Sequence, residues 1–266
     1  MASRADDGLL KGERQQRILA QLATEGRVVA TELQAQLGVS AYTIRRDLDE
    51  LADAGRLQRV HGGALGPARA PVATASAGRG AQAVAGRREV ARAAASLLVP
   101  GGVAILDGGS TALALAEAIP PGFTGTFVTH SPPAAAALAA HEGVEVVVIG
   151  GTLERRAMVA VGAQTIAAYK SISADVLFLG VWSLHAEQGL SEGYHEAAEV
   201  RRVLLGRADR VVGLVTADKL GTVAPFRYGA ATALTHIATE RAVPAATLAP
   251  LTDLGIQVIP PARSPA

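Results

Sequence analysis

Arg45 and Arg46 stand side by side near the start of an amphipathic run, preceded by Ser40, Tyr42 and Thr43, in the stretch VSAYTIRRDLDELADAGRLQRVHGG spanning Val39 to Gly63. Guanidinium forks donate in pairs to phosphate oxygens or to the acceptor edge of guanine. Hydroxyl and phenol groups add single hydrogen bonds, so these residue types crowded at one helix start suit a DNA groove. A second stretch, Asp107, Gly108, Gly109, Ser110 and Thr111, suits an anion. Glycines let the backbone approach a ligand closely, hydroxyls and amides donate, and a helix beginning there favours negative charge. The stretch has neither the lysine of a nucleotide phosphate loop nor the GxGxxG spacing of a dinucleotide fold, so a nucleotide gains no support.

The first stretch needs helices to carry it. Ser40 can cap a helix by accepting hydrogen bonds from its first-turn amides, Ile44, Leu48 and Leu51 follow at helical spacing, and Gly55 ends the run. Upstream, GERQQRILAQLATEG predicts a helix with Ile18, Leu19 and Leu22 on one face, and TELQAQLG a second with Leu33 and Leu37; Gly38 and Val39 form the turn between the second and third helices. Downstream, RLQRVH, a Gly62–Gly63 turn and a strand from Ala64 predict a hairpin that offers Arg56, Arg59 and His61 to phosphate or minor groove. This is the pattern of a winged helix-turn-helix over residues 1–66, whose partner is a double-stranded DNA operator. Net charge does not announce it. Four arginines between Ser40 and His61 are balanced by Asp47, Asp49, Glu50 and Asp53, so placement must do the work, with the acidic residues spaced to orient Arg45 and Arg46 or to face away toward the protein.

Residues 67–86, rich in Ala, Gly, Ser and Pro, predict a linker, and a helix is expected from Arg87 to Leu98. Beyond it, short β-branched runs alternate with alanine-rich helical stretches as in parallel βαβ units: VAIL at 103–106, TFVT at 126–129, VEVVVIG at 144–150, DVLFLG at 175–180, RVVGLVT at 210–216 and HIAT at 236–239. Ligands of open α/β sheets sit at the carboxyl ends of strands. There the sequence places Asp107 to Thr111, then His130, then Gly150 and Gly151, and further on Glu199 and Lys219. Lys219 stands out because the chain holds only 3 lysines against 22 arginines, and a flexible ammonium suits a phosphate or sugar oxyanion.

Composition narrows the class. A chain of 266 residues, 49% hydrophobic, suffices for a small reader and a larger core-burying domain. With no cysteine, neither a disulfide scaffold nor a thiolate metal site is possible, and no cofactor or metal is expected. The first residues, MASRADDGLLKGERQQR, lack an apolar signal region, and the uncharged stretch Ala118–Ala140 is broken by four prolines and two glycines. A cytoplasmic protein with no membrane span is expected.

The run from Glu13 to Leu65, including TIRRDL and RVHGG, resembles the N-terminal domain of DeoR-family bacterial transcriptional regulators. ILDGGST, FVTHS, VVVIGG, DVLFLG, GLS, AEVRR and ADKLG, in that order from about Arg87 to Glu240, resemble the family's sensor domain. The resemblance implies an α/β fold class: a winged helix-turn-helix followed by a mostly parallel sensor domain over 87–266, related to ribose-5-phosphate isomerase. It implies a regulator, usually a repressor of carbohydrate metabolism, controlled by a phosphorylated sugar or related metabolite. Asp107, Gly109, Ser110, Thr111, His130, Gly150, Gly151, Glu199 and Lys219 would line the effector pocket. Two departures bear on the effector: His130 stands where the family commonly has asparagine, and Trp182, Ser183 and Leu184 replace its glycine-rich continuation. The competing reading is a sugar-phosphate isomerase with Glu199 as proton-transferring base and Lys219 stabilising an enediolate. An enzyme has no need of the N-terminal reader. A homo-oligomer is expected, because paired readers on half-sites multiply affinity and specificity.

Overall fold

The computed structural model describes residues 10–25, 27–54, 56–60, 62–66 and 81–259. The chain divides into two compact units, Met1–Ala68 and Arg69–Ala266. The first contains α1 (Lys11–Glu25), β1 (Arg27–Val29), α2 (Ala30–Leu37), α3 (Ala41–Asp53), β2 (Gln58–Val60) and β3 (Gly63–Leu65). Ile18 and Leu22 of α1, Leu33 of α2 and Ile44, Leu48 and Leu51 of α3 close one core with Val28, Leu57 and Ala64. Gly38 ends α2 with φ +66°, a left-handed turn that starts the chain toward α3. The wing has three strands rather than a hairpin, with β3 antiparallel between β1 and β2. β1 is only three residues long, too short for alternation to betray it. At Gly63 the pairing is so close that a Cβ would fall 2.0 Å from the Val28 carbonyl oxygen. Gly55 and His61 lie outside the described residues.

The second unit opens with α4 (Ala81–Ala95), which starts six residues inside the segment expected as linker. Ala81, Ala83 and Ala85 give that segment linker composition, but alanine is also the best helix former. Then follow β4 (Val103–Leu106), α5 (Ser110–Glu117), β5 (Gly125–Thr129), α6 (Pro132–Leu138), β6 (Val144–Val148), the hairpin β7 (Thr152–Glu154) and β8 (Val159–Val161), α7 (Ala163–Lys170) and β9 (Ala174–Gly180). The chain continues through β10 (Ser183–His185), β11 (Gly189–Glu192), α8 (His195–Leu204), β12 (Ala208–Leu214), β13 (Phe226–Gly229), β14 (His236–Ala238), α9 (Ala245–Thr252) and β15 (Gln257–Ile259).

Seven of these strands form one parallel sheet in the order β15-β14-β12-β9-β4-β5-β6. Side chains alternate across it. Ala104 and Leu106 of β4, with Phe127, Phe178 and Leu214, meet Leu115 of α5 and Leu138 of α6 on one face. Ile105, with Val128, Leu177 and Val211, meets Tyr169 of α7 and Val200 and Leu204 of α8 on the other. Burial of both faces explains the near-continuous apolar strands in the sequence. From β4 the chain proceeds to β5 and β6 on one side, then returns to β9 on β4's other side, so the strand order reverses between β4 and β9. In open α/β sheets that reversal opens a crevice at the carboxyl ends of the strands. Among the described residues no helix is long and apolar enough to cross a membrane.

Candidate functional site

On α3, Ser40 caps the helix as expected: its Oγ accepts the Thr43 amide at 3.1 Å and lies 2.9 Å from the Thr43 hydroxyl. These two residues therefore set the start of the helix. Tyr42, 76% exposed, and the exposed Arg45 and Arg46 share one stripe at i, i+3 and i+4, while Ile44, Leu48 and Leu51 face the core. The acidic residues divide between the two expected roles, facing the protein and holding arginines. Asp47 turns inward to pair with Arg14 of α1, Glu50 takes Arg46 at 3.2 Å, and Asp49 takes Arg59 of the wing at 2.8 Å. Arg59 also donates to the Gly63 carbonyl at 2.8 Å, which clasps the wing to α3. Arg56 is half-buried, its amide donating to the Leu51 carbonyl at 2.8 Å.

In the second unit, Asp107 is fully buried at the end of β4, where the strand order reverses. Its Oδ2 accepts the Gly180 amide of β9 at 3.0 Å and the Arg201 Nε of α8 at 2.8 Å. Arg201 reaches on to Glu192 at the end of β11, itself 1% exposed. Burial opposes the guanidinium's charge, but the charge and hydrogen bond of Asp107 outweigh it and raise the Arg201 pKa. His130, at the end of β5, stands with Nε2 3.4 Å from the free Oδ1 of Asp107, and its Nδ1 lies 2.8 Å from the Tyr169 hydroxyl. Burial drives the His130 pKa down to about 4; Asp107 opposes this and Arg201 reinforces it. The ring is therefore neutral at pH 7, Tyr169 donating to Nδ1 and the Nε2 hydrogen facing Asp107.

Above this buried base lies the glycine stretch. A Cβ on Gly108 would fall 2.0 Å from Val159 of β8, and Gly109 takes φ +96°, so both positions need glycine. Gly109 is the N-cap of α5 and brings no side chain to the first-turn amides, leaving the exposed Gly109 and Ser110 and the half-buried Thr111 at an open helix N-terminus. Gly150 and Gly151 are exposed at the end of β6, Gly150 accepting from the Thr165 hydroxyl at 2.8 Å. Lys219 follows β12, its Nζ 3.0 Å from Asp218 and 5.8 Å from the centre of the Trp182 ring.

Asp107 and His130 therefore meet directly, and Gly109 to Thr111, Gly150, Gly151 and Lys219 all follow carboxyl ends of strands of the same sheet. Glu199 does not join them. On α8, Ala197, Arg201 and Leu204 form the buried face, while His195, Glu199 and Arg202 form the other. Glu199 pairs with Arg202 and lies 3.7 Å from His195, and the Arg202 hydrogen bond holds its carboxyl below the usual range. Sequence reasoning missed Arg201, Glu192, Tyr169 and Tyr228, the last fully packed near Arg201 with an unpartnered hydroxyl. The signal for Arg201 was helix phase: an arginine on an otherwise apolar helical face.

Two family descriptions match this chain. A DeoR-like helix-turn-helix domain spans residues 14–69, and a DeoR C terminal sensor domain spans residues 82–241. The chain belongs to the DeoR family. A DeoR-family regulator from Haloferax volcanii, the HTH-type transcriptional regulator GlpR, is 31% identical over 94% of this chain and 98% of its own. The glycerol-3-phosphate regulon repressor of Escherichia coli is 28% identical over 92% of this chain and 97% of its own. The chain is also similar to ribose 5-phosphate isomerase A of Methanocaldococcus jannaschii, at 19% identity over 52% of this chain and 53% of that one, with a TM-score of 0.37. As a DeoR-family member the protein is a DNA-binding transcriptional regulator. The stripe of Tyr42, Arg45 and Arg46 falls in the helix-turn-helix match, and Asp107, His130 and Lys219 fall in the sensor match.

Proposed function

We propose that this protein is a cytoplasmic, homo-oligomeric repressor of a carbohydrate operon, released or engaged by a phosphorylated sugar or related metabolite. In this reading residues 1–66 read the operator, 67–86 connect, and 87–266 sense the effector. The observation that carries it is the open α5 N-terminus at Gly109 to Thr111, set over the buried Asp107 where the strand order reverses. That end of the helix attracts an anion, and it sits where α/β sheets bind ligands. Ser110 and Thr111 supply hydroxyls there, Lys219 a cation and Gly150 and Gly151 close backbone, while His130 is a neutral partner in the floor beneath. Ser40 and Thr43 set the start of the reading helix, Tyr42, Arg45 and Arg46 are its contacts to DNA, and Arg56, Arg59 and His61 are those of the wing region that follows.

The isomerase reading is weakened, because Glu199 faces Arg202 and His195 on the side of α8 away from Asp107, and the Arg202 hydrogen bond lowers its pKa and so its strength as a base. Oligomerisation follows from each chain carrying one reading helix, which covers only a few base pairs. The test is a thermal-shift screen of the full chain against phosphorylated sugars and polyols, each hit then titrated against operator DNA. A ligand that binds the native state raises its melting temperature by mass action, and the true effector also changes operator affinity. A hit that stabilises the protein without changing operator affinity would be bound but would not be the signal.

A further inference from the structure

Trp182, the one tryptophan of the chain, stands two residues past β9, beside the carboxyl end of β12. Its ring lies against Gly193, where a Cβ would come within 3.2 Å of the indole. Tyr194 meets it edge to face at 5.7 Å between centres, and Arg156 of the β7–β8 turn lies 5.5 Å over Tyr194 and donates to its hydroxyl at 3.2 Å. Lys219 places its Nζ over the indole, 5.8 Å from the ring centre. A row of cation, ring, ring and cation thus runs from the end of β12 to the β7–β8 turn. Within it the Trp182 indole N–H is buried and has no acceptor. A buried indole N–H ordinarily finds a partner, and leaving one unmatched is unfavourable.

We propose that Trp182 is the wall of the effector pocket on which a ring-closed sugar phosphate stacks, and so the residue that selects the effector. This rests on the pocket reading above. The apolar C–H face of a furanose or pyranose matches a flat indole, whereas a linear polyol phosphate presents no such face. The indole N–H donates to a hydroxyl that reaches past the ring edge, Lys219 leaves the indole for the sugar's other oxygens, and the phosphate lies at Gly109 to Thr111. The glycine at 193 leaves room for the indole, and the Tyr194–Arg156 pair buttresses it.

A single tryptophan makes the test direct. The full chain is titrated with glucose 6-phosphate, ribose 5-phosphate, sorbitol 6-phosphate, glycerol 3-phosphate and inorganic phosphate, followed in parallel by calorimetry and by tryptophan emission. A ring-form sugar phosphate should bind with heat and shift the emission at the same midpoint. W182L should weaken that compound by about tenfold and change inorganic phosphate less than about twofold. W182F, which keeps a ring and loses the N–H, should fall between, with melting temperature reporting that both variants are folded. Heat without an emission change, equal affinity in W182L, or a preference for the linear phosphates overturns the inference and leaves the pocket standing. Silence in calorimetry from every phosphorylated compound removes the pocket reading and this inference with it.

Discussion

Replacing Arg201 by methionine tests whether the buried base of the sensor unit is held together by that one cation. In the native protein the guanidinium bridges Asp107 and Glu192, which are 0% and 1% exposed. Without it, among the described residues, Asp107 Oδ2 keeps the Gly180 amide at 3.0 Å, Oδ1 has only the His130 Nε2 at 3.4 Å, and Glu192 keeps the Gly193 amide at 2.7 Å. Two like charges then share a buried site with one backbone donor each. Removing one partner of a buried ion pair costs about 3–5 kcal/mol. At roughly 2–4 °C per kcal/mol for a unit of this size, the expected fall in melting temperature is about 6–20 °C. The assay is calorimetric unfolding of the full chain, in which the transition assigned to the sensor unit should move alone. The triple variant D107N/E192Q/R201M, which removes all three charges, should recover much of the loss, because it leaves no uncompensated ion. A fall of under about 3 °C in R201M, or a triple variant as unstable as the single, would refute the reasoning.

The remaining predictions concern both units. R45A should weaken operator binding by about 1–3 kcal/mol and leave melting temperature unchanged, since the side chain is exposed on the reading stripe; anisotropy titration against operator DNA checks it. D49A frees Arg59 from its 2.8 Å partner and should steepen the salt dependence of DNA binding by about one counterion, measured as log Kd against log salt; an unchanged slope would show that Arg59 never meets phosphate. His130 titrates near pH 4 when folded and near 6.5 when unfolded, so between those values the unfolded chain binds more protons and stability falls as pH falls, by up to roughly 3 kcal/mol. H130N should flatten that acid limb, and a melting-temperature profile from pH 7 to pH 4 with the native slope retained would contradict it. G63A places a methyl group against the Val28 carbonyl and should destabilise the wing by about 1–3 kcal/mol, read as faster amide exchange in β1 and β3.

What the sequence made legible followed from length and period. The strands at 103–106, 126–129 and 175–180 are buried on both faces, so their apolar runs are continuous and plain, and the helices of the reading unit carry caps and apolar faces. The three- and four-residue strands β1, β7, β8, β10, β11 and β13 carry too few residues for alternation, and they escaped. At the site, Asp107 and His130 were visible because they end strands. Glu199 was assigned from the motif without its helical phase, and the structure puts it on the opposite face of α8 from the buried Arg201 two residues on. Glu192 escaped because it ends one of those short strands, and Tyr169 because it reaches His130 from a helix 39 residues downstream.

The clasp between Arg59 and Asp49, with Glu50 holding Arg46, bears on how such a regulator searches a chromosome. Random DNA attracts a protein through phosphates alone, in proportion to the counterions its cations displace. Cations already shared with neighbouring carboxylates displace fewer, so the grip on arbitrary sequence is loose and each wrong encounter is brief. Every base pair of a genome competes as a decoy, and occupancy of one operator depends on the ratio of right to wrong binding rather than on grip strength alone. If Arg46 and Arg59 meet DNA as proposed, holding them in check would trade general stickiness for that ratio.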